Sequence, residues 1–303
     1  MAKIIKMAKI IKNAPSTDLK SAMDQLCQRY QTEAALVADP ISIPSKYPSA
    51  IDKELASWVA AHLAYGRVAP MLRAIRRALE PLGDNPAQWV RDSDESAIRG
   101  SMQKFLKGWV WRFHTLEDMI GWIIAWKRLD GSTGNKGLEP LLLPANGQSV
   151  EQRLSELINH LRLSLPNTVG LRFNLPDPQR GAAAKRWRMF LRWMARKGWP
   201  DFGVWENYPA EALVIPLDTH VHRISLMLGL CARRAQDLKT ALEITNSLKQ
   251  LDPKDPLRYD FAIAHVGILN DCTRKKAGSC VDCCLGPFCK GRTVLPSIPV
   301  QSS

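Results

Sequence analysis

Strand patterns, long apolar runs and acidic residues are all scarce in this 303-residue chain. β-branched residues are diluted and no stretch alternates cleanly over more than a few positions, which argues against a sheet-based domain. The longest apolar stretches, such as Gly121 to Trp126 and Leu213 to Leu217, fall far short of the roughly 20 residues a membrane-spanning helix needs, so no membrane partner is expected. At the N-terminus, Met1-Ala-Lys-Ile-Ile-Lys repeats at once from Met7 and offers neither an apolar signal region nor a cleavage site. No export is expected, and the chain is placed in the cytoplasm, at the nucleoid. A disulfide framework is absent as well: Cys27 and Cys231 are isolated, and the other five of the seven cysteines fall in the eighteen residues from Cys272 to Cys289. In a reducing compartment, thiols clustered in this way bind metal.

What is present is the composition of an ordinary globular protein, 46% apolar and 23% charged, at a length that suits two domains or one large helical domain. Lys and Arg number 42 against 29 Asp and Glu, a net charge of +13, which points to a polyanionic partner. Helical periodicity dominates. Leu55, Val59, His62 and Leu63 form one stripe in Ile51 to Tyr65, and Leu72, Ile75 and Leu79 another in Met71 to Leu79. Thr115 caps a helix reaching Leu129, and helices are expected over Glu151 to Leu163, Ala182 to Arg196, Thr219 to Leu230, Ala235 to Leu251 and Pro256 to Asp271. The fold class is all-α. Gly131 to Gly147 reads as a flexible excursion, and Leu165 to Gly181 as a proline-rich loop. Most of the ten tryptophans, and His62, His220, His222 and His265, are expected in core or capping roles.

Cys272, Cys280, Cys283 and Cys289 are separated by seven, two and five residues. Four thiolates from one short loop suit a cubane iron-sulfur cluster (4Fe-4S) or a structural zinc ion. Only Cys280/Cys283 forms a convincing knuckle, which favours iron-sulfur; Cys284 remains an alternative to Cys283 as ligand. The run from Cys272 to Cys289, with the preceding helix Tyr259-Asp-Phe-Ala-Ile-Ala-His-Val-Gly-Ile-Leu-Asn, resembles the cluster loop of the endonuclease III group of DNA glycosylases, although its first interval is one residue longer. The resemblance implies that Arg274, Lys275 and Lys276 lie against DNA phosphates.

Asp218 precedes an expected helix, where aspartate commonly serves as N-cap, and a helix N-terminus favours the ionised carboxylate. Leu217-Asp218-Thr219-His220-Val221 is similar to the Val-Asp-Thr-His segment of the helix-hairpin-helix glycosylase superfamily, in which a fixed carboxylate stabilises the oxocarbenium-like sugar. Lys185, opening the apolar helix Lys-Arg-Trp-Arg-Met-Phe-Leu-Arg-Trp-Met, matches the superfamily's nucleophilic lysine, and Arg186 follows it as a DNA contact. The hairpin departs from the pattern: Leu175-Pro-Asp-Pro stands where endonuclease III has a glycine-rich turn. The long interval from Lys185 to Asp218 resembles instead the archaeal glycosylases for oxidised guanine. A closer resemblance is to a family of uncharacterised proteins sharing the Lys-Arg, Phe-Leu-Arg-Trp-Met and Leu-Asp-Thr-His-Val segments, Ala64-Tyr-Gly-Arg-Val and Asp255-Pro-x-x-Tyr-Asp-Phe-Ala. Arg67, at a helix end where the superfamily fills the hole left by a flipped base, is a further DNA contact.

The resemblance implies a two-domain helix-hairpin-helix glycosylase-like fold with a C-terminal four-cysteine cluster loop. Residues 1–13 and 293–303 are loose ends, 14–50 join 231–292 in one helical domain, and 51–230 form a helical bundle holding the atypical hairpin at about 165–218. The implied function is that of a monomeric DNA repair glycosylase and AP lyase acting on duplex DNA with a damaged base, 8-oxoguanine being favoured by the hairpin. The altered hairpin supports an alternative, a non-catalytic nucleic-acid-binding protein that keeps the fold and the cluster.

Overall fold

The computed structural model describes residues 16–144, 147–268, 272 and 283–290. Its main helices are α1 (Ser16–Tyr30), α2 (Ala50–Leu63), α3 (Val68–Leu79), α4 (Pro86–Asp92), α5 (Glu95–Phe105), α6 (Leu116–Ser132), α7 (Val150–Ser164), α8 (Val169–Asn174), α9 (Lys185–Ala195), α10 (Thr219–Leu228), α11 (Leu238–Leu251) and α12 (Asp260–Ile268). The described strands are β1 (Val110–Trp111) and β2 (His114–Thr115), paired antiparallel between α5 and α6. Among the described residues no helix is long and apolar enough to cross a membrane.

Caps set most helix starts. Ser49, Asp94, Thr115, Ser149, Thr168, Asp218 and Asp237 each accept a hydrogen bond from a backbone N–H of the first turn they precede, satisfying donors that a helix N-terminus leaves unpaired. Thr115 does so reciprocally, since Asp118 in turn accepts from the Thr115 amide at 2.9 Å.

Helix α2 is the axis of the core. Every residue from Glu54 to Leu63 is buried, so the helix must be covered on all sides; α3, α4, α6 and α9 supply that cover. Trp58 of α2 and Trp122 of α6 stack at 4.2 Å, and each indole N–H donates to the other residue's carbonyl, at 2.9 and 3.2 Å. Trp187 and Phe190 of α9 meet Trp58 edge to face, enclosing His62. Burial holds the His62 ring well below its ordinary pKa, so it is a neutral member of the core. Among the remaining helices, α12 packs on α10 and on α1, and α1 also packs on α11.

The segment from Gly131 to Gly147 departs from the expected flexible excursion. Helix α6 continues to Ser132, and the next residues are pinned inward: Gly137 N–H donates to Asp130, and Leu138 N–H to Glu54 at 3.0 Å. Glu54 also accepts from the indoles of Trp126 at 3.2 Å and Trp205 at 2.7 Å. One buried carboxylate thus clamps α2 to α6 and to two distant loops.

Burial pushes the Glu54 carboxyl up to about 7 against those three opposing hydrogen bonds. A carboxyl whose folded pKa exceeds its unfolded value stabilises the fold most below the unfolded pKa, and that contribution is lost as pH rises through the folded one. Thermal unfolding should therefore show stability falling by about 3 kcal/mol between pH 4.5 and 8 on account of this group. Glu54→Gln should flatten that slope; an unchanged pH dependence in the variant would exclude Glu54 as its source.

Candidate functional site

Lys185 is the first residue of α9 and Asp218 the N-cap of α10. The turn ahead of Lys185 is anchored from outside, with Leu238 N–H donating to the Gly181 carbonyl at 2.9 Å and Ala182 bridging to Asp237. Ala184 completes it in the left-handed region, φ 51° and ψ 42°, a conformation uncommon for a residue with a Cβ and held only where the surroundings impose it. Beyond the turn the helix is fixed along its length by buried ion pairs: Arg188 with Glu151, Arg192 with Asp201 and Asp260, and Arg196 with Asp201 and Asp255.

The two oxygens of Asp218 have separate tasks. Oδ1 accepts the Val221 amide at 2.8 Å and caps α10, while Oδ2 lies 3.1 Å from Lys185 Nζ. The pair is only partly exposed, 32% for the lysine side chain and 18% for the aspartate. Burial raises the Asp218 pKa, but the Lys185 charge and the Val221 hydrogen bond outweigh it, and the net shift is downward. The carboxylate is ionised at neutral pH.

Both residues line a cleft of about 400 Å³. One wall is α9 with Met189 and Trp193, another the start of α10, a third α12 with Asp260 and His265, and a fourth Tyr65, Gly66 and Arg67 between α2 and α3, of which Gly66 and Arg67 are exposed. Arg186 is not among the lining residues; its guanidinium sits 3.7 Å from the Phe173 ring centroid and donates to the Phe173 carbonyl. Burial among these rings lowers the Arg186 pKa to about 10. Trp193 borders the cleft although its side chain is buried, as are those of Trp58, Trp122, Trp126 and Trp187. His220 also borders it, and its Nδ1 has no hydrogen-bond partner among the described residues.

The sequence did not single out Asp39 and Asp260 as cleft residues. Asp39 caps a short helical turn through Ile41, with its Oδ2 3.8 Å from His265 Nε2, and Asp260 is paired with Arg192. The available signal was the Tyr-Asp-Phe-Ala segment, whose aspartate opens α12.

The turn between α8 and α9 is closed on itself. Asp177, buried, accepts from Ser155 Oγ at 2.6 Å and from the Gln179 amide at 3.0 Å, and the same amide lies 3.2 Å from Ser155 Oγ. A backbone N–H committed in this way is not offered to a phosphate. Of the cysteine cluster, Cys272, Cys283, Cys284 and Cys289 are described, while Cys280 and the basic residues Arg274, Lys275 and Lys276 lie outside the described residues. Among the described residues no group of three or more His, Cys, Asp or Glu side chains is gathered as a metal site.

A family model described as a protein of unknown function (DUF2400) matches residues 39–269. Comparison with curated proteins and with solved structures returned no match.

Because Asn caps helices as well as Asp does, Asp218→Asn should leave α10 intact, whereas Asp218→Ala loses the cap and should cost about 1 kcal/mol more. Denaturant unfolding of the two variants checks this; equal stabilities would mean that the Val221 contact contributes nothing to the fold.

Proposed function

The chain belongs to the DUF2400 family, and from the geometry of its cleft we propose that it is a DNA glycosylase with lyase activity that removes a damaged base from duplex DNA. The observation that carries this reading is the 3.1 Å approach of Lys185 Nζ to Asp218 Oδ2 inside a cleft of about 400 Å³, a volume within the range of small-molecule sites. A base and its sugar must leave the stack to enter such a cleft. Arg67, exposed and lining the same cleft, supports a contact with the DNA around the extruded nucleotide. The finer architecture, a helix-hairpin-helix arrangement with the cleft between two helical domains, belongs to the same proposal, as do the cytoplasmic location and a base of the oxidised-guanine class.

Breaking the glycosidic bond sends its electron pair to the departing base, which takes up a proton, and leaves positive charge on the sugar. The ionised Asp218 carboxylate stabilises that charge in a partly dry site. Lys185 Nζ, once its ammonium has given a proton to solvent or to the departing base so that Asp218 stays ionised, bonds to the anomeric carbon. Ring opening then breaks the bond between that carbon and the ring oxygen, which takes up a proton and becomes a hydroxyl, and leaves the protonated Schiff base. Loss of a proton from the adjacent sugar carbon then expels the 3′ phosphate and cuts the strand.

The closed α8–α9 turn favours a second reading, nucleic-acid binding without chemistry, because the phosphate contact expected from the hairpin is occupied internally. In either reading the thiols of Cys272, Cys280, Cys283 and Cys289 would hold an iron-sulfur cluster, or alternatively zinc, that would cross-link the C-terminal segment structurally. Iron and sulfide analysis of anaerobically purified protein should find both; stoichiometric zinc without sulfide would replace the cluster by the ion.

Borohydride should trap a covalent complex with damaged duplex DNA, and Lys185→Gln should abolish it. Asp218→Asn should slow base release about a hundredfold, the effect of losing one preorganised electrostatic contact, with DNA affinity nearly unchanged. Wild-type rates in both variants, with helicity intact, would refute the assignment of this pair.

A further inference from the structure

We propose that the groove between the outer face of α3 and the β1–β2 hairpin binds the phosphodiester backbone of the nucleic acid whose nucleotide enters the cleft. This rests on the nucleic-acid reading above and adds the surface that holds the strand. The groove has a volume of about 660 Å³ and is lined by Arg73, Arg76, Arg77, Lys107, Trp109 and Trp111, with Glu80 as the one acid. Glu80 lies 3.7 Å from Arg77; Arg73, Arg76 and Lys107 have no carboxylate partner among the described residues.

Helix α3 divides sharply. Met71, Leu72, Ala74, Ile75, Ala78 and Leu79 are buried, while Arg73, Arg76 and Arg77 are exposed. Cations three and four residues apart on one face repel one another in the free protein, and a row of phosphates would relieve that repulsion while releasing its own counterions. The floor of the groove is aromatic and fixed, with Trp109 Nε1 donating to the Ala74 carbonyl at 3.3 Å and Trp111 Nε1 to the Leu63 carbonyl at 3.1 Å.

The groove leads to the cleft. A Cβ at Gly66, which lines the cleft, would lie 3.3 Å from the Trp111 ring and 3.4 Å from Arg112 Cδ. Gly66 has φ 89°, so the close approach of hairpin and cleft depends on a residue without a side chain. Arg112 itself sits at φ 54° in the hairpin turn, and Phe113 beside it is 42% exposed, its ring parallel to Tyr65 at 5.8 Å. Charge, aromatic surface and cleft are thus contiguous, whereas the turn between α8 and α9 has its Gln179 amide occupied. A concave groove suits a strand better than it suits a flat anionic membrane, and stacked rings at its end suit bases.

The test is fluorescence-anisotropy titration of a labelled duplex bearing a tetrahydrofuran abasic-site analogue, repeated across a KCl series, for wild type and for Arg73→Gln/Arg76→Gln/Lys107→Gln. Each phosphate contact contributes about 0.9 to the slope of log affinity against log salt. The triple variant should lose between about two and three units of slope, whereas Lys239→Gln/Lys254→Gln, exposed elsewhere, should keep the wild-type slope. An unchanged slope in the triple variant, with steep salt dependence in both proteins, would overturn the groove and leave the nucleic-acid reading standing. Salt-insensitive binding by wild type, or capture by phosphatidylglycerol vesicles in preference to the duplex, would overturn both. A reduced slope in a protein that borohydride never traps would support the groove and remove only the catalytic reading.

Discussion

One face of α9 carries Lys185, Arg188 and Arg192, with Arg196 at its C-cap, and each of these cations meets a carboxylate from another part of the chain: Asp218, Glu151, Asp201 with Asp260, and Asp201 with Asp255. Three of the four are arginines with side chains at most 7% exposed. A buried charge left without its partner costs several kcal/mol. Helix α9 therefore cannot rotate or slide by a residue without stranding at least one of them. The row adds little net stability relative to an apolar face, since desolvation offsets the attraction, but it fixes the register of the helix against everything it touches. Lys185 stands at the end of this fixed row, and the same constraint brings its ammonium group to Asp218.

The opposite face of α9 is fixed by shape rather than charge. Trp187 and Phe190 enter the aromatic cluster around Trp58 and Trp122, and Phe190 also meets Trp205 edge to face. Trp205 in turn donates to Glu54 at the centre of α2. The helix presenting Lys185 is thus held on both sides by groups that themselves have no freedom, and this is the support that a positioned reactive amine requires. Sites on packed helices keep their geometry better than sites on loops, and both members of the pair stand at helix starts.

Much of this was written locally in the sequence. The period of Ile51 to Tyr65 anticipated α2 to within two residues, Thr115 was legible as a cap, and Asp218 was legible both as the cap of α10 and as the candidate carboxylate. That Lys185 and Asp218 belong to one site was implied by a resemblance, because no local rule links residues that far apart; their direct ion pair was not foreseen. What stayed hidden depends on distance or on very short elements. The β1–β2 hairpin has two residues per strand, too few for any alternation to show. The loop after α6 looked unstructured because its anchor, Glu54, lies far away in the chain. Arg186 looked like a surface cation beside Lys185, and only the fold shows Phe173 beneath it. Asp39 and Asp260 face one cleft from opposite ends of the sequence, which no periodicity can reveal.

In the proposed reaction the division of labour within Asp218 decides which partner moves. Its Oδ1 is tied to the Val221 amide, so the carboxylate stays with the helix start it caps. Its Oδ2 meets an amine on a side chain with four rotatable bonds and 32% exposure. A sugar acquiring positive charge in the cleft competes with Lys185 for that same oxygen. The carboxylate cannot follow the lysine, so the lysine yields, and it bonds to the carbon where the charge develops once its ammonium has given up a proton. The ion pair is then the resting state of the site, and the charge that ends it is the one Asp218 is placed to stabilise.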